Sequence, residues 1–196
     1  AILALIILAS QVVLGGLTVL KILQSEIVTL HLIFGTLFFA VILVMNLRLN
    51  RFGGTEFDIA RVVKDKLRKE PSHTWRWALT ALLFLFLQIL LGGVVSSHYA
   101  GLACPDFPTC QGQWWPGLNG VVGIQVLHRI GACLAFIAMT IFVFAVAFNR
   151  RLPRHIHWKA RFVAVFSVVQ IILGIANVLL KIPIATGVAH LAVAEI

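Results

Sequence analysis

Charge is scarce in this sequence. Only 12% of its 196 residues are Asp, Glu, Lys or Arg, where a soluble domain carries about a quarter. Acidic side chains are the rarer kind, seven against sixteen Lys and Arg, while 60% of the chain is apolar and the mean hydropathy is +0.99. An ordinary cytosolic enzyme and a disordered tail are both excluded. The net charge of +9 invites a nucleic-acid reading, but the cations are placed wrongly for it. Eight Lys and Arg lie between Arg48 and Arg76 and five between Arg150 and Arg161. These two blocks sit between apolar runs, as in the cytoplasmic loops of a membrane protein. Lipid is the expected surrounding, and no nucleic acid is expected.

The period-2 alternation of a membrane barrel is also missing. Six apolar runs are present instead, at about 1–20, 27–47, 77–98, 121–148, 162–181 and 185–196. The first five meet the roughly 20 residues a spanning helix needs, and the last stops short of it. The expected fold is all-α, a polytopic transmembrane helical bundle with six helices present and the last truncated. The basic blocks orient it, with 48–76 and 150–161 cytoplasmic and 99–120 extracytoplasmic; that last loop contains neither Lys nor Arg. Trp75, Trp77, Trp114, Trp115 and Trp158 all flank apolar runs, as an interfacial aromatic belt does. The chain opens inside an apolar run with neither Met nor a basic stretch. It is expected to be a piece of a longer chain, with another helical hairpin upstream of Ala1.

A weak internal repeat follows from the polar residues within the runs. Gln11-Val-Val-Leu-Gly15 aligns with Gln170-Ile-Ile-Leu-Gly174, and His31 and His190 each fall 20 residues after their Gln. A third copy, Gln88-Ile-Leu-Leu-Gly92-Gly93, leads through the long outer loop to His128. All three Gln-bearing helices run from inside to outside, so the repeat is parallel. The unit is a hairpin with a Gln midway up one helix and a His near the outer start of the next. The simplest role for each Gln is an interhelical hydrogen bond beside a small residue.

His31, His128 and His190 are the main chemical signal, because ionisable side chains within spans are rare and mark function by default. Each has a small residue one turn later, Gly35, Ala132 and Ala194, which would clear a face for a flat macrocycle. His pairs from facing helices hold haem in helical bundles. The alternatives are hydrogen-bonded interior imidazoles with small residues serving packing alone, and a zinc site, for which close further ligands are lacking. Arg129 suits either a haem propionate or a snorkelling role. His73, His155 and His157 are expected in loops and His98 at a helix end. Cys104 and Cys110 share the outer loop, so a disulfide is expected there, as a structural staple or with a redox role. The absence of Cys-x-x-Cys-His excludes covalent haem attachment. Cys133 is expected to be a packed core thiol.

Gly101-Leu-Ala-Cys-Pro-Asp-Phe-Pro-Thr-Cys110, between Gln-Ile-Leu-Leu-Gly-Gly and Leu127-His128-Arg129, resembles the haem A synthase family. The run Gln-x-x-Leu-Gly-Gly-Leu-Thr-Val at 11–19 and the His-Leu pairs at 31–32 and 190–191 are similar to it too. The resemblance covers essentially the whole sequence. It implies two pseudo-symmetric four-helix halves in a bacterial cell membrane. Residues 1–47 would then be the second helix pair of the substrate half, 48–76 a cytoplasmic linker and 77–196 the cofactor half. It further implies a haem b cofactor on His128 and His190, with Arg129 beside it. Haem O would be the substrate on His31, and the Cys104–Cys110 disulfide would lie in the outer loop. The implied reaction oxidises the C8 methyl of haem O, through a hydroxymethyl stage, to the formyl group of haem A. A haem O synthase, an electron-transfer partner and a second copy of the chain are the implied associates. The family's loop commonly reads Asp-Trp-Pro-Leu where this sequence has Asp-Phe-Pro-Thr. The catalytic acid and the other substrate-side His are expected upstream of Ala1, so residues 1–196 alone are expected to be inactive; Glu195 does not replace that acid. A non-catalytic bis-His electron-transfer bundle and a transporter are the competing readings.

Overall fold

The computed structural model describes residues 2–51 and 73–194, at 47–51 the backbone alone. The chain is all-helical, with no strand among the described residues. The helices are α1 Ile2–Leu20, α2 Ser25–Arg51, α3 His73–Ser97, α4 Gly120–Phe148, α5 Arg154–Leu179 and α6 Ile184–Ala194, with a 3₁₀ turn at Ala100–Leu102. The first five contain apolar windows long enough to cross a membrane. Side chains are apolar all round them: Leu3, Leu5, Ile6 and Val12 on α1 and Leu82, Leu83 and Leu87 on α3 are all exposed. Such surfaces suit lipid, not water.

Two compact units result, Ala1–Ser72 and His73–Ile196. In the first, α2 packs back on α1 as a hairpin. In the second, packing is sequential, α3 on α4, α4 on α5 and α5 on α6, and no other pair of long helices among the described residues packs as closely. The expected segment 48–76 falls largely outside the described residues, as does Glu195.

Two boundaries differ from expectation. α5 starts at Arg154, not near 162, so most of the expected loop 150–161 is helical and only a short turn separates it from α4. Pro153, with φ −66° and extended ψ, stands just before the helix, where its missing N–H costs nothing. The first two turns are too basic for an apolar count to find, yet long cationic stems on a helix end are well suited to the interface. α3 likewise starts at His73. His73, His155 and His157 are thus helical residues, not loop ones.

The repeat extends into the backbone. Eleven residues after each Gln the chain turns left-handed, at Ile22 (φ 51°), Tyr99 (φ 53°) and Lys181 (φ 61°). At each, the turning N–H donates three residues back, to Val19, Ser96 and Val178 at 3.2, 3.2 and 3.1 Å. The first and last hairpins go further. Leu23 and Ile182 are left-handed too, and their N–H groups reach the Thr18 and Asn177 carbonyls at 2.8 and 2.6 Å. These are helix C-caps built without glycine, at a strain of about 1–3 kcal/mol for each residue so held.

Candidate functional site

Each hairpin brings its Gln onto its His. Gln11 Nε2 donates to the His31 carbonyl at 2.7 Å. Gln88 Nε2 donates to the His128 carbonyl at 3.1 Å and lies 3.0 Å from its Nδ1. Gln170 Nε2 lies 3.5 Å from His190 Nε2. The interhelical role expected of the glutamines holds, and its partner is the His of the same hairpin.

Glycine supplies the space for the ring. A Cβ placed on Gly15, Gly92 or Gly174 would sit 3.3, 3.3 or 3.2 Å from Cε1 of His31, His128 or His190. These glycines lie one turn after their Gln, so each Gln-x-x-x-Gly face is a seat for an imidazole. That pattern was visible in the repeat; what it faces was not. The small residue after His31 has a different job from the one expected. A Cβ on Gly35 would lie 2.9 Å from Gln11 Nε2, so Gly35 lets α2 close on α1.

Among the described residues, five of the seven buried side-chain polar atoms without a partner belong to these triads: Gln11 Oε1, His31 Nδ1, Gln88 Oε1, Gln170 Oε1 and His190 Nδ1. A sixth, Gln125 Oε1, lies one turn before His128. Unmet polarity in a spanning bundle is costly, and here it gathers around the three imidazoles. His128 and His190 lie on α4 and α6 of one compact unit, and these two helices do not pack closely. Among the described residues no three His, Cys, Asp or Glu side chains cluster as a metal cage would.

Above His128 sits the disulfide loop. Cys104 and Cys110 are bonded, with Cα atoms 4.5 Å apart, and both are buried against Val126 of α4. Arg129 clamps this loop. Its guanidinium donates to the carbonyls of Thr109 (2.7 Å), Cys104 (2.9 Å) and Asp106 (2.8 Å) and lies 5.7 Å from the Phe107 ring centre. Two of its five N–H donors stay uncommitted. Within the loop, Asp106 accepts from the Thr109 hydroxyl and from the Gly112 and Gln111 N–H groups. The Thr109 bond foremost, then that from Gly112, hold its carboxyl down at about 2. The loop closes on a pair of bonds between Cys110 and Gln113 at 2.9 and 3.0 Å.

The sequence profile of one family, described as cytochrome oxidase assembly protein, matches residues 1–196. The chain belongs to that family. Among its relatives are proteins named Heme A synthase. That of Rhizorhabdus wittichii is 35% identical over 148 residues, covering 71% of this chain and 42% of the relative. That of Caulobacter sp. (strain K31) is 34% identical over 141 residues, covering 66% and 41%. In Neorickettsia sennetsu the figures are 30% over 147 residues, 69% and 42%. The chain thus spans about two fifths of the length of these curated relatives. The family membership agrees with the resemblance carried by the Cys-loop and His128-Arg129.

One expectation is corrected and one holds. Cys133 is free and exposed on α4, not packed in a core; the lipid facing a spanning helix is apolar enough to hold a thiol. His98, at the end of α3, has Nδ1 3.0 Å from the Val94 carbonyl and 3.1 Å from the Ser97 hydroxyl, so its polarity is met locally.

Proposed function

We propose that this chain is part of a haem A synthase, acting in a bacterial cell membrane with the disulfide loop on the outer side. The reaction would oxidise the C8 methyl of haem O to the formyl group of haem A. The observation that carries this reading is the set of three Gln–Gly–His seats, each an imidazole on a glycine-cleared face among unmatched polar atoms.

The residues fit a bis-imidazole haem. His128 and His190 lie within one compact unit, each on a glycine-cleared face, and their helices do not pack closely on each other. His190 keeps a buried, unpartnered Nδ1, which a ligand or a ligand's hydrogen-bonded shell would satisfy. His128 and His190 would hold haem b, which when bound would supply a one-electron centre able to relay, one at a time, the four electrons released as methyl becomes formyl to the electron-transfer partner. Gln88 and Gln170 orient these imidazoles. Arg129 holds the disulfide loop over His128 and retains two donors for a propionate. His31, in the separate first unit, would bind the haem O substrate, with Gln11 fixing its backbone. The apolar surroundings keep water from the site. A haem O synthase and an electron-transfer partner would be the associates.

The test is chemical. The complete reading frame should be expressed in membranes that accumulate haem O, and the extracted haems resolved by mass. Appearance of the formyl product, and its loss in His31→Ala and His128→Ala, is expected. A low-spin b-type spectrum with no formyl haem would favour the electron-transfer reading instead.

A further inference from the structure

At the end of the second unit away from the disulfide loop, α4, α5 and the turn between them line a cavity of about 390 Å³. That volume is within the roughly 300–1,000 Å³ of ligand sites. Its floor is apolar, from Val143 and Val146 of α4 and Leu152 of the turn, and its rim is basic, from Arg154, His157 and Arg161 of α5. The span of α4 ends at Phe148 and that of α5 begins at Arg154, so the rim lies at headgroup level and the floor reaches into the hydrocarbon. Trp158, half exposed, stands beside the rim with Arg161 stacked 5.7 Å over its ring, a further mark of the interface. Arg150 and Arg151 lie in the turn itself, outside the cavity lining. The one carboxylate of this unit among the described residues, Asp106, is in the disulfide loop at the opposite end. Among the described residues of this unit, the rim cations therefore have no acidic partner.

Scattered interfacial cations need no cavity beneath them, and an apolar packing defect needs no cationic rim. The two together have the polarity of a single phospholipid. We infer that this cavity is a binding site for an anionic phospholipid, its phosphate held by Arg154, Arg161 and His157 and its upper acyl chain lying on Val143, Val146 and Leu152. Guanidinium groups suit phosphate oxygens in bidentate geometry, and basic pockets between spanning helices are where such headgroups bind. The site is separate from the histidine seats and does not depend on the proposed haem chemistry.

The purified chain in nanodiscs of equal parts phosphatidylglycerol and phosphatidylcholine tests this, with retained lipid counted by native mass spectrometry after ejection. One phosphatidylglycerol should be retained in at least fivefold preference. Arg154→Gln with Arg161→Gln should remove the preference, and so should Ala147→Phe, which fills the cavity and leaves every charge in place. Arg150→Gln with Arg151→Gln, which removes equal charge outside the cavity, should keep it. Helicity by circular dichroism and an intact disulfide report folding in each variant. Equal loss in the 154/161 and 150/151 pairs would mean that general cationic attraction is at work, and the site would be rejected. Retention in Ala147→Phe would reject the apolar half of the argument. Displacement of the lipid by millimolar inorganic phosphate would make this a free-anion site and overturn the assignment to lipid.

Discussion

Replacing Arg129 with Met removes three hydrogen bonds to the carbonyls of Thr109, Cys104 and Asp106 while keeping most of the side chain's packing. A charge-assisted bond of this kind contributes roughly 1.5–3 kcal/mol when well desolvated. The three are not additive, and water reclaims carbonyls on a part-exposed loop, so the net cost is about 2–4 kcal/mol. The stacked Phe107 adds about 0.5 kcal/mol at such an exposed site. At 1.4 kcal/mol per factor of ten, the loop should open roughly 30- to 700-fold more often. The reporters are the amides of Cys110 and Gln113, which bond each other's carbonyls, and hydrogen exchange reads their opening directly. Arg129→Lys should fall between, because one ammonium cannot match a fork spread over three acceptors. If both amides exchange at the parent rate in Arg129→Met, the clamp is not what holds the loop, and Arg129 must be sought among ligand contacts alone.

Cys104 and Cys110 should resist alkylation until reduced, and mass spectrometry finding both thiols free without reductant would contradict the loop as described. Asp106 titrates at about 2 in the folded loop against an ordinary 3.8. Its contribution is therefore complete above about pH 4 and is lost as the pH falls through 2. A carboxyl ¹³C titration should show the low midpoint, and Thr109→Ala should raise it; a midpoint near 4 in the parent would contradict the hydrogen bonds that Asp106 accepts. Gly16 faces open space and Gly92 faces His128. Gly16→Ala should thus gain up to about 1 kcal/mol from helix propensity, whereas Gly92→Ala and Gly174→Ala should lose that gain against the ring. Equal melting shifts for all three would remove the glycine seats from the account.

What the sequence disclosed, and what it withheld, follows from which groups carry the information. His31, His128 and His190 stood out because an imidazole in an apolar run has no other easy explanation, and the Gln-x-x-x-Gly spacing around them is a side-chain pattern. The Cys104–Cys110 bond followed from two cysteines in one loop. Arg129 was harder, because its partners are main-chain carbonyls, which every residue possesses and no sequence marks. The left-handed exits at Ile22, Tyr99 and Lys181 were hidden for a related reason. Glycine is the usual sign of such a turn, and none of the three is glycine. The start of α5 was missed because Arg154, His155, His157, Lys159 and Arg161 form a helix too polar for an apolar window.

The central claim is that His128 and His190 are paired ligands of one b-type haem while His31 serves a different site. The measurement is the reduced-minus-oxidised visible spectrum of the membrane-purified chain, loaded with haem, in three single variants. His128→Ala and His190→Ala should each abolish the low-spin signal, since each would remove one of the two imidazoles proposed to hold the haem, and His31→Ala should leave it largely intact. A low-spin spectrum that survives loss of His128 and His190 but disappears with His31 would contradict the assignment.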